Sequence, residues 1–79
     1  MTYLTTAEAA ELATTWRRLV SAGAAAVQPA TIRQWASRGH LAPRGLDQHG
    51  RPLYERSDLA RAERATRDRA LRLVGTGDP

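Results

Sequence analysis

Pro29-Ala30-Thr31-Ile32-Arg33-Gln34-Trp35-Ala36-Ser37-Arg38-Gly39 is the stretch on which the fold turns. Pro29 suits a first helical position, where its missing N–H is not needed and its φ is already helical, and Gly39 suits the stop. Between them Ile32, Trp35 and Ala36 share one face, so the spacing predicts a helix of about ten residues. The opposite face carries Ala30, Thr31, Arg33, Gln34, Ser37 and Arg38, and no acidic residue occurs between positions 28 and 44. A polar, positively charged helix face is expected.

Moving toward the C-terminus, His40-Leu41-Ala42-Pro43-Arg44 and Pro52-Leu53-Tyr54-Glu55 flank a loop containing Asp47-Gln48-His49-Gly50. Two short extended segments around a glycine-containing loop predict a small β-hairpin, kept short by Pro43 and Pro52. Ser57-Asp58 then reads as the cap of a last helix from 59 to about 74. Its thin apolar stripe is Leu59, Ala62, Thr66, Ala70 and Leu73. Glu63 with Arg67, Arg64 with Asp68, and Asp68 with Arg72 fall at i,i+4, which predicts an exposed face laced with weak ion pairs. Residues 75–79 are expected to form a disordered tail.

Moving toward the N-terminus, Thr5 and Glu8 have the spacing of a capping box and open a first helix reaching about Ser21. Ala9, Leu12, Ala13, Trp16, Leu19 and Val20 recur at helical spacing as its apolar stripe. Gly23 can cap its end, while Ala24-Ala25-Ala26-Val27 has the propensity to restart a helical turn. Both courses stay open. A single domain over residues 4–74 is expected, because no repeat or composition break divides the 79 residues.

Composition narrows the classes. Without cysteine there is no disulfide framework, thiol nucleophile or cysteine-containing zinc site, and His40 and His49 lack ligand partners at metal spacing. No Ser-His-Asp set, carboxylate pair or glycine-rich phosphate loop can be assembled, so an enzyme is not expected, nor is a cofactor. No run approaches the roughly 20 apolar residues of a membrane span, and Met1 to Tyr3 do not begin a signal peptide, which points to the cytoplasm. The formal charge is +4, and all twelve basic residues are arginine. Between positions 28 and 56 five arginines face only Asp47 and Glu55, net +3, so most of the excess belongs to the middle helix and hairpin. Such a concentration is the electrostatic footprint of a nucleic-acid surface.

Helix, basic helix, hairpin, helix is the layout of a winged helix-turn-helix, in which a recognition helix enters the major groove and a wing reaches the neighbouring backbone or minor groove. Leu4 to Leu12, Pro29 to Trp35, Arg38-Gly39-His40-Leu41-Ala42-Pro43, Gly50-Arg51-Pro52-Leu53-Tyr54 and Ser57-Asp58-Leu59 together resemble the MerR/excisionase-like winged helix-turn-helix domain. The most specific part is Thr-Ile-Arg-x-Trp followed by Arg-Gly-x-Leu and a Gly-Arg-x-x-Tyr hairpin. One departure is clear. Residues 14–27 intervene where the family has a tight turn, so either the first helix is lengthened or an extra helical segment packs beside the module. Gln28 also stands where the family has a better cap.

The resemblance implies that Thr31, Arg33, Gln34, Ser37 and Arg38 of the recognition helix face DNA. Arg33 could fork onto guanine O6/N7, Gln34 could pair with adenine N6/N7, and Thr31 could hold a phosphate or touch a thymine methyl. Arg38 would bind phosphate. In the wing, Arg44 and Arg51 would grip the backbone or a narrow minor groove, assisted by His49 at the tip. Trp16 and Trp35 read as core, and Tyr54 packs on the helices with its hydroxyl toward a phosphate.

The expected function is that of a small sequence-specific DNA-binding protein, nucleoid-associated, binding repeated sites of double-stranded DNA cooperatively. The chain leaves no room for the effector domain of MerR regulators, so the resemblance points to transcription regulators, excisionases and recombination directionality factors of phages and mobile elements. Self-association would run through the last helix or the 14–27 insert. Recognition of packaging sites, as by phage terminase small subunits, is the nearest alternative, and a protein-interaction module is the alternative without DNA.

Overall fold

A computed structural model describes the backbone of residues 2–75 and the side chains of residues 2–71. Its first helix, α1 (Thr6–Val20), begins where the capping box predicts. The Thr5 hydroxyl accepts from the Glu8 amide at 3.2 Å, and Glu8 Oε1 accepts from the Thr5 amide at 2.9 Å, so two otherwise orphaned donors are satisfied reciprocally. The helix ends at an extended Ser21, ahead of Gly23.

The open question about residues 14–27 resolves in favour of a lengthened α1 followed by a non-helical connector, 21–28. The connector is bound down at both ends. Thr14 Oγ1 donates to the Ala10 carbonyl at 2.8 Å and accepts the Val27 amide at 2.8 Å, while Arg18 Nε donates to the Ala24 carbonyl at 3.2 Å. Ala24 and Val27 are buried as a result. These tertiary bonds give the Ala24 carbonyl and the Val27 amide partners that a helical turn would have supplied from within.

The middle helix, α2 (Pro29–Ser37), lies where expected. Gln28 makes no side-chain cap, but its carbonyl accepts from Thr31 and Ile32. At the other end Gly39 adopts φ +81°, and the His40 and Leu41 amides return to the Trp35 carbonyl at 2.8 and 3.3 Å. This left-handed termination drops Leu41 into the core.

Three short strands rather than two form the sheet: β1 (Tyr3–Leu4), β2 (Gly45–Leu46) and β3 (Pro52–Glu55), antiparallel in the order β1-β3-β2. Leu4 pairs with Tyr54, and Gly45 with Leu53. The last helix, α3 (Arg56–Gly75), starts directly at the end of β3 and earlier than the 59 expected from Ser57-Asp58. Glu55 performs the capping instead: its Oε1 accepts from the Ser57 amide at 3.3 Å and from the Ser57 hydroxyl at 2.6 Å. Gly75 closes α3; the expected tail beyond it lies outside the described residues.

Ala9, Ala10 and Ala13 of α1, Ile32 and Trp35 of α2, Leu41, Tyr54 of β3, and Leu59 and Ala62 of α3 form one core. The small alanine faces let the helices approach closely, since side-chain size at the contact sets interaxial distance. Tyr54 is only 2% exposed and belongs to this core, which corrects the expectation of a hydroxyl directed at a phosphate.

Two further expectations are corrected at the α1–α3 contact. Leu19 and Val20, read as core, are exposed, and Arg17 takes the inward position instead. Glu63, read as part of an exposed ion-pair face, is fully buried. Arg17 Nε donates to Glu63 Oε2 at 3.1 Å, Arg17 Nη2 donates to Thr66 Oγ1 at 2.7 Å, and Arg67 holds both oxygens of Glu63 from the outer side. The Arg17 guanidinium also lies 5.3 Å from the Trp35 ring centroid, so one side chain ties α1 to both α2 and α3. The Glu63 hydrogen bond, more than its charge, raises the pKa of Arg67 above its ordinary value.

Candidate nucleic-acid interface

The exposed face of α2 follows from what its other face buries. With Ile32 and Trp35 in the core, helical geometry turns Ala30, Arg33, Gln34 and Ser37 outward, and Arg38 follows at the C-cap. All five are exposed. Thr31 is not brought together with them: it is half-buried and lines a small recess with Arg17, Val27 and Leu71, on the side of α2 that meets the connector.

The hairpin tip is closed by hydrogen bonds of its own. Asp47 Oδ1 accepts from the amides of His49 at 2.8 Å and Arg51 at 2.9 Å, and the Asp47 carbonyl accepts from the Gly50 amide at 3.0 Å. Asp47 is thereby engaged within its own loop. Gly50 sits at φ +76°, a conformation that an L side chain enters at a cost. Gly50→Ala is expected to cost about 1 kcal/mol of stability, seen as a melting temperature lowered by about 4–8 °C. An unchanged melting curve would show that the tip does not need this backbone.

Arg33 of α2 and Arg51 of the hairpin line a single cleft, whose other walls are Thr5, Thr6 and Ala7 at the start of α1 together with Pro29, Pro52 and Asp47, the last of these bonded to the His49 and Arg51 amides of its own loop. The tertiary structure therefore brings together two residues that sequence separates by a loop, a strand and a turn. Among the described residues, no ion pair engages Arg33, Arg38 or Arg51. Their neighbours differ. Arg17 and Arg67 share Glu63, while Arg44 and Arg61 share Asp58.

Arg44 thus has a structural engagement that its position in the wing did not reveal. Its Nε donates to Asp58 Oδ2 at 2.7 Å and its Nη2 to Oδ1 at 3.3 Å, anchoring the approach to β2 on the first turn of α3. Hydrogen bonding to Asp58, and then the Asp58 charge, raise the Arg44 pKa further above its ordinary value. About half of the side chain, 56%, is still exposed. His49 is exposed at the hairpin tip, where a ring nitrogen lies 3.4 Å from the Gln48 amide nitrogen.

Of the five arginines between 28 and 56, Arg44 is paired and Arg56 stacks over Trp16 at 5.7 Å, away from this face. The charge excess is carried by Arg33, Arg38 and Arg51. Among the described residues no cluster of metal-ligating side chains occurs, and no helix is long and apolar enough to cross a membrane. No protein-family model, curated protein or solved structure matches the chain.

Proposed function

We propose that the chain is a winged helix-turn-helix module that binds double-stranded DNA sequence-specifically, with α2 as recognition helix and the β2–β3 hairpin as wing. The observation that carries this reading is the set of unpaired arginines, Arg33, Arg38 and Arg51, two of them lining one cleft, in a chain that engages Arg17 and Arg67 with Glu63 and Arg44 and Arg61 with Asp58. A guanidinium left without a carboxylate on a rigid element is suited to a guanine edge or a phosphate. Arg33 and Gln34 are the base readers in this reading. Ser37, Arg38 and Arg51 hold the backbone, with His49 beside them, and Thr31 drops out of the contact set because it faces the connector.

A lone module offers few contacts, so binding to repeated sites by neighbouring copies supplies the remaining affinity. A role as transcription regulator or as excisionase-like directionality factor, associated with the nucleoid, follows from the family resemblance.

The test is a salt titration of binding to duplex fragments. Affinity is expected to fall linearly on a log–log plot. Arg33→Ala should lose about 1–3 kcal/mol and relax preference at one base, whereas Arg51→Ala should weaken all sequences evenly and reduce the salt slope by about 1. No binding to duplex DNA at low salt would overturn the reading.

A further inference from the structure

We propose that the cleft between α1 and α3 around Trp16 is a second interaction surface, which takes an acidic amphipathic segment of a partner protein. It shares no residue with the α2–hairpin cleft and stands independently of the DNA reading.

The surface arises from the burial of Arg17. At that level of α1 the ion triad, not an aliphatic side chain, fills the space against α3, and the apolar row beside it is left over. Leu19 is 80% exposed and Val20 54% exposed, three and four residues beyond a half-buried Trp16 and so on the same side of the helix. Trp16 lines a cleft of about 520 Å³ together with Arg56, Ala60, Arg64 and Arg67.

The charges at this cleft are unevenly satisfied. Glu63, at the base, is buried and held by both Arg17 and Arg67, and Glu55 is engaged by Ser57. Arg64 has no ion-pair partner among the described residues and is exposed, and Arg56 lies over the Trp16 ring. What remains is a half-buried indole flanked by the Arg56 and Arg64 guanidinium groups, which outnumber the one carboxylate outside an ion pair, Glu55, and continued by two aliphatic side chains. Tryptophan and arginine in such recesses dominate binding energy at protein interfaces.

Charge complementarity selects an anionic occupant, and the apolar row selects its class. A nucleic-acid backbone would satisfy Arg64 but leave Trp16, Leu19 and Val20 in water. An acidic helix with aliphatic residues on one face covers both, its carboxylates on the Arg56 and Arg64 side and its aliphatic residues over Trp16.

The test is an NMR titration of the full ¹⁵N-labelled chain with a synthetic helical peptide bearing leucine on one face and glutamate elsewhere. Shifts are expected at the Trp16 indole N–H and at the Arg64 and Arg67 amides, with Arg33 and Arg51 unmoved. Arg64→Glu, an exposed change that keeps the fold by circular dichroism, should weaken binding about tenfold. Shifts centred on Arg33 and Arg51 would overturn the proposal, as would equal binding of an all-glutamate peptide, occupation of the Trp16 cleft by duplex DNA, or no shift at millimolar peptide.

Discussion

Glu63→Ala is expected to destabilise the chain by about 3–5 kcal/mol, because it leaves the buried Arg17 guanidinium without its counter-charge. Native domains have only about 5–15 kcal/mol in total, so the variant should melt at least about 12 °C lower or fail to fold. The cost comes from an uncompensated buried charge and not from the net worth of the pair. Replacing both partners with apolar residues, Arg17→Met with Glu63→Leu, should therefore recover most of the loss, since Arg67 is partly exposed and can turn to solvent. Urea unfolding followed by circular dichroism measures both variants. A single variant within about 1 kcal/mol of the parent would show that Arg17 and Glu63 are not buried together.

The second large effect belongs to the proposed interface. Arg33→Glu with Arg51→Glu places two carboxylates in the cleft where two guanidinium groups stood, and binding to duplex DNA should fall about a hundredfold or more at low salt. Both side chains are exposed and unpaired, so the variant should keep its melting temperature. The control is Arg64→Glu with Arg69→Glu, which changes net charge equally at exposed, unpaired positions of α3. Near-parental DNA binding by this control is expected. Equal losses in the two double variants would mean that net charge alone governs binding, and the cleft would lose its assigned role.

Local chemistry made much of the fold readable. The Thr5–Glu8 box, Pro29 at the first turn of α2 and Gly39 after its end each act within a few residues, and each element begins or stops where they dictate. β1 gave no such signal. A two-residue strand is too short for alternation to register, and only its pairing with β3 makes Tyr3 and Leu4 a strand. The start of α3 departs from its local signal for a related reason: Ser57 and Asp58 are good caps, but α3 follows directly on β3, and Glu55 takes the capping bonds.

Burial departs from hydrophobic periodicity where an arginine is involved. Leu19 and Val20 fall on the apolar stripe of α1, yet the buried side chain at that level is Arg17, whose partner lies 46 positions away on α3. Hydrophobic periodicity has no means of anticipating such a pair. The same holds for Arg44, whose engagement with Asp58 joins two elements. A hint did exist in the sequence: Glu63 lies next to Ala62 of the apolar stripe of α3 and at i,i+4 from Arg67, a placement compatible with a buried flank.

The sequence by itself determined the three helices, the capping box of α1, the glycine stop of α2, the hairpin and the segment holding the charge excess, because these depend on spacing and on residue chemistry along a few turns. Only the tertiary structure decided which arginines are free. Pairing across elements is a matter of distance in space: packing of α3 against α1 and the hairpin commits Arg17 to Glu63 and Arg44 to Asp58, while among the described residues no ion pair engages Arg33, Arg38 or Arg51.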